Sequence, residues 1–437
     1  MKKGIKKAFS LLLVLSMIFA LAACSPDDDD TGKDTNNDTD KDTGNQEETI
    51  VLWSIATESD AFHPAYNQAI EDYENDNQGV KIVHETFENE SYKTKLKTAV
   101  GGNELPDIFF TWGGGFSEPF VESGKVLPLD DYYSAEIQEE LPETALNNAT
   151  YDGVLYGTTF TSPVSMLFYN RAMFEEYGLE APETWEDLVE VSNTFIDNEI
   201  TPFGLSVKDS WVLAMFHDAL TLKSAGPEKV TSALRKEGQS YNDPDFINSA
   251  ARLMELVEMG AIIEGATGLS NDEASALFYD GTVPMFVTGS WMAGSIQTDP
   301  ENPEDFDVAP IPVLNSDNAQ ITDFMGGASD TFMVSESTDN PDLAADVAFE
   351  LTKSISKHAY LSGAGIPVWE VDYDDSEVNP LTRKIAEYTA NASSFTLWFD
   401  TLMSSGDAGE YLDLLQQLYV GNLSPEDFAE SMANQLE

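Results

Sequence analysis

Apolar runs alternate with amphipathic segments along residues 49–110. The β-branched and aromatic run at 49–53 predicts a buried strand, and comparable runs at 80–87 and 105–110 predict two more. Between them, residues 63–74 and 91–100 repeat apolar positions at helical spacing. Strands that alternate with helices in this way indicate right-handed crossover units on a mainly parallel sheet.

Polar and glycine residues follow each of these predicted strands. In parallel α/β sheets, ligands bind beyond the carboxyl ends of the strands. Trp112 is followed by three glycines, at a backbone turn and off any periodic apolar face, which predicts ligand contact. A phosphate loop is excluded because no Lys-Ser or Lys-Thr follows the glycines and no GxGxxG is present. The candidates at these three ends are Glu58, Glu88, Asn89, Trp112 and Gly113.

The segment at 276–296 has a similar design. A helix ends at Asp280, a short strand follows at 284–287, and a second helix is expected to begin near Trp291. Ser290 is a suitable N-cap for that helix. Trp291 would then lie beside helix-end N–H groups that have no partner inside the helix. An apolar ring next to free donors suits a flat ligand covered with hydroxyls, although a core position for Trp291 stays open at this point.

A further tryptophan belongs to a helix core. Thr184 and Asp187 have the spacing of a capping box, and the helix that they begin has an apolar face containing Trp185, Leu188 and Val191. This periodicity predicts that Trp185 is a packing residue.

The size and charge of the chain limit its class. At 437 residues it exceeds what one hydrophobic core usually serves, so at least two lobes are expected. A formal net charge of −56 repels nucleic acid and anionic membranes, and we predict no nucleic-acid partner. Cys24 is the only cysteine, so no disulfide forms within the chain.

The amino terminus resembles an export signal. Residues 1–23 carry four lysines and then an apolar run from residue 9, as in a signal peptide. Residues 21–24, Leu-Ala-Ala-Cys, resemble a bacterial lipobox, which implies lipid attachment at Cys24. Residues 24–49 are predicted to form a disordered acidic linker. The folded body would then be lipid-anchored on the extracellular side of the membrane of a Gram-positive bacterium, with no other membrane contact.

Three segments resemble one protein family. Residues 162–188 contain Leu167-Phe168-Tyr169-Asn170, followed by Phe174, Gly178 and Pro182-Glu183-Thr184-Trp185. This segment resembles the hallmark of the extracellular solute-binding proteins of sugar importers, the maltose-binding protein superfamily. Residues 102–110, GNELPDIFF, and 278–291, FYDGTVPMFVTGSW, are similar to two further family segments.

The resemblance implies a fold and its partners. The expected fold is α/β and periplasmic-binding-protein-like (type II), with two α/β lobes, a three-segment hinge and a ligand cleft between the lobes. It also implies a monomer that docks on the transmembrane permease subunits of an ABC importer. The expected parts are residues 50–160 and 312–366 for lobe 1, residues 161–311 and 367–437 for lobe 2, and crossings near Thr161, Ile311 and Ile366.

The resemblance also adds candidates to the ligand site. It places an aromatic stacking residue at Trp211 and another at Trp398, and it brings the glycine pair at 326–327 to the cleft. The full candidate set is Trp112, Trp211, Trp291, Trp398, Glu58, Glu88, Asn89, Gly113, Ser290, Asp323, Gly326, Gly327, Trp369 and Asp400.

An enzyme is disfavoured by the absence of its usual motifs. The four histidines are far apart with no HExxH, and no GxSxG nucleophile elbow occurs, so we predict no catalytic residue, metal or cofactor. With 78 carboxylates a glycoside hydrolase pair is not excluded, but it is the least favoured interpretation.

Among binding functions, the tryptophans favour a neutral carbohydrate, a di- or oligosaccharide, because indoles stack on pyranose C–H faces. Few Lys and Arg residues argue against phosphate, sulfate or uronate ligands. A cationic ligand such as a polyamine is the alternative, since aromatic rings and carboxylates also form cation–π sites. A purely structural surface lipoprotein is the third class.

Overall fold

The computed structural model describes residues 47–374 and 376–436. The predicted signal peptide, Cys24 and most of the acidic linker lie outside this range.

The strands of the described residues are β1 Glu48–Ser54, β2 Val80–Thr86, β3 Ile108–Trp112, β4 Thr150–Tyr151, β5 Val154–Leu155, β6 Gly157–Thr161, β7 Ser165–Asn170, β8 Phe203–Gly204, β9 Met285–Gly289, β10 Phe306–Ala309, β11 Asp323–Met325, β12 Asp330–Val334 and β13 Ser394–Thr396.

The helices are α1 His63–Asp76, α2 Asn89–Gly102, α3 Glu118–Glu122, α4 Ala135–Glu140, α5 Arg171–Glu176, α6 Trp185–Asp197, α7 Ser210–Ala225, α8 Pro227–Leu234, α9 Pro244–Glu258, α10 Asn271–Tyr279, α11 Met292–Thr298, α12 Pro341–Ser362, α13 Pro380–Thr389, α14 Phe399–Leu402, α15 Ser405–Tyr419 and α16 Pro425–Leu436. Short 3₁₀ turns lie at Gly114–Phe116, Glu143–Ala149 and Pro303–Asp305.

The first lobe is built on a five-stranded sheet of order β2-β1-β3-β12-β6. β1 runs parallel to β2 and β3, whereas β12 is antiparallel to β3 and β6. The second lobe is built on a four-stranded sheet of order β10-β7-β9-β8, in which β7 is antiparallel to both neighbours and β8 is parallel to β9. Each sheet therefore contains one reversed strand, and each has its own buried core.

The local predictions for the first lobe are confirmed to within a few residues. The strands expected at 49–53 and 80–87 are β1 and β2, and the helix expected at 63–74 is α1. In the second lobe the Thr184–Asp187 capping box is present at the start of α6. Trp185 is 3% exposed in the second core, as the periodicity predicts.

The chain passes between the lobes at three neighbouring places. Ser162 N donates to Ile366 O at 2.9 Å, and Gly327 N donates to Pro163 O at 2.9 Å. Segments 161–164, 326–330 and 366–367 therefore lie side by side. The expected crossing near Ile311 is wrong, because the chain stays on the second lobe after it: Val313 N donates to Glu183 O and Leu314 N to Lys223 O, both at 3.1 Å.

The boundaries of the lobes shift accordingly. Phe324 and Met325 also belong to the second core, so the chain returns to the first lobe only after β11. After the third crossing, Trp369 is still buried in the first core, although it was assigned to lobe 2. None of the helices in the described residues has the length and apolarity needed to span a bilayer.

Candidate functional site

A cavity of about 1490 Å³ lies between the two lobes. Its first-lobe side is formed by the residues after β1, the start of α2 and the end of β3. Its second-lobe side is formed by α10 and by the starts of α7, α11 and α14. The cavity therefore lies beyond the carboxyl ends of the parallel strands of the first sheet, where the alternation of strands and helices predicts a ligand.

Three indoles form a row on the second-lobe side. The ring centroids of Trp211 and Trp291 are 6.3 Å apart, and those of Trp291 and Trp398 are 6.1 Å apart. All three side chains line the cavity. We call Trp211, Trp291 and Trp398 the indole row. The structure thus brings three of the candidate residues together from distant parts of the chain.

Trp291 takes its position from the glycine before it. Its ring folds back over Gly289, where an added Cβ would come within 2.1 Å of the indole. Trp291 itself is the N-cap of α11, and it packs against both cores. The expected N-cap role of Ser290 is wrong, because Ser290 is 1% exposed and its Oγ accepts a hydrogen bond from Val164 N.

Trp398 is fixed by a hydrogen bond at its edge. Its Nε1 donates to Ser165 Oγ at 2.8 Å, and the residue is only 6% exposed. Ser165 begins β7. The indole therefore has a fixed orientation at the end of the row.

The first-lobe side has one indole, held differently. Trp112 ends β3 and meets Phe110 and Phe116 edge-on, with centroid distances of 5.0 and 5.1 Å. Lys93 Nζ lies 5.2 Å from the Trp112 ring centroid and pairs with Glu90 at 2.9 Å. Trp112 lines the cavity as predicted, but an ammonium group already covers part of its face.

Cationic side chains were not expected at the site. Lys93, Lys97 and Lys208 all line the cavity, although Lys and Arg are scarce in the chain. Lys93 and Lys97 are four residues apart on α2, so both face the same side of that helix. Overall composition could not reveal this local arrangement.

Several carboxylates that were not predicted lie on the cavity lining, and Asp60 and Asp330 are two of them. Asp60 follows β1 by a few residues, and Asp330 is the first residue of β12. Burial raises the pKa of Asp60 to about 6 and that of Asp330 to about 7. Thr161 Oγ1 donates to Asp330 at 2.7 Å, so Asp330 links two of the crossing segments. An acid at the head of the apolar run 331–334 was the available signal for Asp330.

Of the acidic and amide candidates on the lining, one already uses its oxygens in hydrogen bonds within the protein, and two retain acceptors. Glu88 caps α2, and its two oxygens accept from Glu90 N and Ser91 N, which holds its pKa below the usual value despite the opposing effect of burial. Asn89 Oδ1 is a buried acceptor with no hydrogen-bond partner among the described residues. Burial raises the pKa of Asp400. Asn89 and Asp400 therefore keep acceptor capacity for a ligand, whereas Glu88 is occupied.

The three glycine candidates are placed away from the lining, and their amides are already bonded. Gly113 N donates to Ser329 O, Gly326 N to Thr396 O and Gly327 N to Pro163 O. An added Cβ at Gly326 would lie 2.1 Å from Pro163 O. Gly113 and Gly326 serve close backbone packing, and Gly327 has a φ of +140°, which favours glycine. The expected amide contacts with ligand are not retained.

Four other candidates also lie outside the cavity lining. Glu58 is exposed and is not a lining residue, although its neighbours Thr57 and Ser59 are, and Ser290 is buried against Val164. Asp323 is 3% exposed and accepts from Gln320 N and Ser394 Oγ. Trp369 is 4% exposed in the first core and donates its Nε1 to Thr159 O. We remove these residues from the candidate site.

The glycines after Trp112 bring the two lobes into contact. An added Cβ at Gly114 would lie 2.8 Å from Thr401 O, and one at Gly115 would lie 2.1 Å from Met403 O. Gly114 also has a φ of +74°, which favours glycine. The triple glycine therefore lets the end of α14 approach the backbone of the first lobe.

Two α/β lobes, three crossings and an aromatic cavity between them are the features of an extracellular binding protein. The family model of the bacterial extracellular solute-binding proteins matches residues 58–353. The chain belongs to this family. No cluster of His, Cys, Asp or Glu suited to a metal ion occurs in residues 47–374 and 376–436.

Members of the family and their structures are similar over most of the chain. An ABC transporter extracellular-binding protein of Pyrococcus horikoshii is 24% identical over 90% of both chains. The maltotriose-binding protein of Pyrococcus abyssi is 23% identical over 68% of this chain and 62% of its own. A structure from a study of xylan utilisation by Caldanaerobius polysaccharolyticus has a TM-score of 0.86 at 33% identity, covering 89% of this chain and 100% of that one.

Proposed function

We propose that this solute-binding protein is the extracellular lipoprotein component of an ABC importer and that it binds a neutral di- or oligosaccharide between its lobes. The indole row carries the proposal, because three adjacent indoles, tilted by 53° and 56° to one another, form an apolar surface on which pyranose rings can stack. A cavity of about 1490 Å³ exceeds the usual range of about 300–1,000 Å³ for small-molecule sites, which favours a ligand of more than one ring.

Hydrogen-bond acceptors complete the proposed site. Asp60, Asp330, Asn89 and Asp400 line the same cavity and can accept bonds from ring hydroxyls. A carboxylate that accepts from a hydroxyl forms a charge-assisted bond, which is stronger than a neutral one. Carboxylates outnumber the lysines Lys93, Lys97 and Lys208 on the lining, so the site is not suited to an anion. Its indoles and polar groups fit a neutral ligand with apolar faces and a polar rim.

The relatives support a carbohydrate and suggest the first probes. The relative from Pyrococcus abyssi is named for maltotriose, and the more similar structure comes from work on xylan utilisation. We therefore choose xylo-oligosaccharides as the first probes and malto-oligosaccharides as the second.

Binding would be coupled to closure and delivery. A ligand held between the lobes favours the state in which both sides touch it, to the extent of its differential affinity. The closed monomer would then dock on the permease subunits, while lipid at Cys24 keeps it at the membrane of its Gram-positive host. No catalytic step is assigned to any residue of the cavity.

Titration of intrinsic tryptophan fluorescence tests the function. Xylo-oligosaccharides, malto-oligosaccharides and spermidine would each be added to the purified protein, and calorimetry would confirm each response. A saturable response to an oligosaccharide, growing with the number of rings, is expected. A response to spermidine alone would replace the carbohydrate with a polyamine, and no response at all would favour a structural lipoprotein.

A further inference from the structure

A buried carboxylate lies behind the indole row. Asp218 is in the middle of α7 and is fully buried. One of its oxygens accepts from Phe399 N at 2.9 Å, and the other accepts from the hydroxyl of Tyr411. Tyr411 OH in turn lies 3.0 Å from His217 Nδ1. Asp218 does not line the cavity, so it acts on any ligand only through other residues.

The bond to Phe399 N fixes the backbone directly after Trp398. Trp398 precedes α14, and its own indole is held by Ser165. The segment is therefore attached at two points, the indole edge on β7 and the following peptide on α7. Together these attachments determine which face of Trp398 meets the cavity.

The same helix carries the other end of the row. Trp211 lies in the first turn of α7, two turns before Asp218, which is roughly 10 Å along the axis. Every residue from Val212 to Ala225 is buried, so α7 has little freedom to shift. One rigid helix thus bears Trp211 directly and holds Trp398 through the carboxylate.

A carboxylate is a costly residue for packing alone. Burying it takes an ion from water, and an apolar residue of similar volume often stabilises a core equally well or better. Its nearest basic group is His217 Nδ1, 4.0 Å away, and burial lowers the pKa of that imidazole to about 3. Among the described residues Asp218 has no charged partner, and burial raises its pKa well above the ordinary value. What its position provides is an acceptor for Phe399 N and a hydrogen-bond partner for the hydroxyl of Tyr411.

We propose that Asp218, supported by Tyr411, is a positioning residue that sets the orientation of Trp398 and so completes the indole row for ligand stacking. The affinity part of this inference rests on the proposed function, but the orientation part does not. A test that observes Trp398 directly can therefore separate the two.

The test compares Asp218→Ala with Asp218→Asn. The alanine removes both acceptors and leaves Phe399 N unpaired in the core, whereas the carboxamide oxygen of Asn still accepts from Phe399 N. Ser224→Ala is the matched control, because Ser224 lies further along α7, is fully buried and bonds to Asp245 O and Asn248, away from Tyr411 and Phe399.

Indole N–H signals of protein labelled with ¹⁵N-tryptophan provide the ligand-independent measurement, with Trp398 assigned from Trp398→Phe. We expect Asp218→Ala to shift the Trp398 signal and speed its exchange with solvent, and to leave the Trp112 signal in place. Xylotetraose affinity, if wild-type protein binds it, should fall about tenfold, a loss of about 1.4 kcal/mol. Asp218→Asn should stay within about threefold of wild type in the same titration.

An unchanged Trp398 signal in Asp218→Ala would overturn the proposal. The proposal would also fail if Ser224→Ala shifted the Trp398 signal as much as Asp218→Ala does, at an equal loss of unfolding free energy. If Asp218→Ala does not fold, Tyr411→Phe replaces it, since it removes the hydroxyl donor to Asp218; its Trp398 signal must then move or the proposal fails. If wild-type protein binds no oligosaccharide, the proposed function is contradicted. The Trp398 indole signal then still decides whether Asp218 orients Trp398, because that measurement needs no ligand.

Discussion

The two sides of the cavity are built on different principles. The second-lobe side has three indoles whose orientations are fixed by a glycine, a serine and a buried helix. The first-lobe side has one indole, partly covered by Lys93, together with the carboxylates of Asp60 and Asp330. The comparison indicates that most of the stacking surface lies in the second lobe, whereas both lobes supply acceptors: Asp60 and Asp330 from the first, and Asp400 from the second.

The largest expected effect is at the centre of the indole row. Trp291→Ala should weaken oligosaccharide binding about 30-fold, or about 2 kcal/mol, because it removes the one indole that neighbours both others. Calorimetric titration measures the loss. Trp185→Phe is the control, since Trp185 is a core residue away from the cavity. If the affinity of Trp291→Ala equals that of wild type within error, the second-lobe indoles do not contribute stacking to ligand binding.

The second effect concerns the acceptors. Asp330→Asn should weaken binding about tenfold at pH 8, where the wild-type carboxylate is ionised and accepts charge-assisted bonds. At pH 5.5 wild-type Asp330 is protonated, because burial raises its pKa to about 7, so the two proteins should differ little. Equal losses at both pH values would contradict an acceptor role. Asp400→Asn is a comparison variant that lines the cavity without bonding to Thr161.

Asp330→Asn should weaken ligand binding at pH 8 but increase the free energy of unfolding at that pH. The folded-state pKa of Asp330 is raised from 3.8 to about 7, so the folded protein retains a proton that the unfolded chain has released. The stabilising contribution is complete below about pH 4 and is lost as the pH rises through about 7. Chemical denaturation should therefore find Asp330→Asn more stable than wild type at pH 8 and similar near pH 4. Because burial also raises the pKa of Asp60, to about 6, the unfolding free energy of Asp330→Asn should still fall with rising pH, but less steeply than that of wild type.

The smallest of these effects should be at the first-lobe indole. Trp112→Ala should cost about 1 kcal/mol, or about fivefold in affinity, because Lys93 already covers part of the ring and no second indole adjoins it. Titrating both variants, Trp112→Ala and Trp291→Ala, with the same oligosaccharide gives the ratio of their affinity losses. A loss at Trp112 as large as that at Trp291 would show that the two sides contribute equally to stacking.

The sequence was informative where local rules act alone. The α/β alternation gave β1, α1 and β2 because apolar period and length decide those elements. Trp185 was recognised as core from its helical face. Trp112 and Trp291 are predicted as ligand contacts from their place after a strand, where such folds present side chains to ligands. The prediction for Trp398, in contrast, depends on the family resemblance.

The rest depended on contacts between distant residues. Glu58 was chosen after β1, but the Asx turn in which Asp60 accepts from Phe62 N places Asp60 on the lining instead. Glu88 looked like a free acceptor and is a helix cap. The crossing was placed near Ile311, because nothing local reveals that β11 pairs with β13 some 70 residues later. Pairing over such separations leaves no periodic signal in either strand.

The contact of Gly114 and Gly115 with Thr401 O and Met403 O has a consequence for engineering. Because two glycine backbones of one lobe accommodate two carbonyl oxygens of the other, the lobes are not independent modules. A chimaera that takes one lobe from a relative would fold correctly only if the glycine segment at 114–115 and the segment at 401–403 came from the same protein. A methyl group at Gly115 alone would act as a spacer between otherwise unaltered lobes.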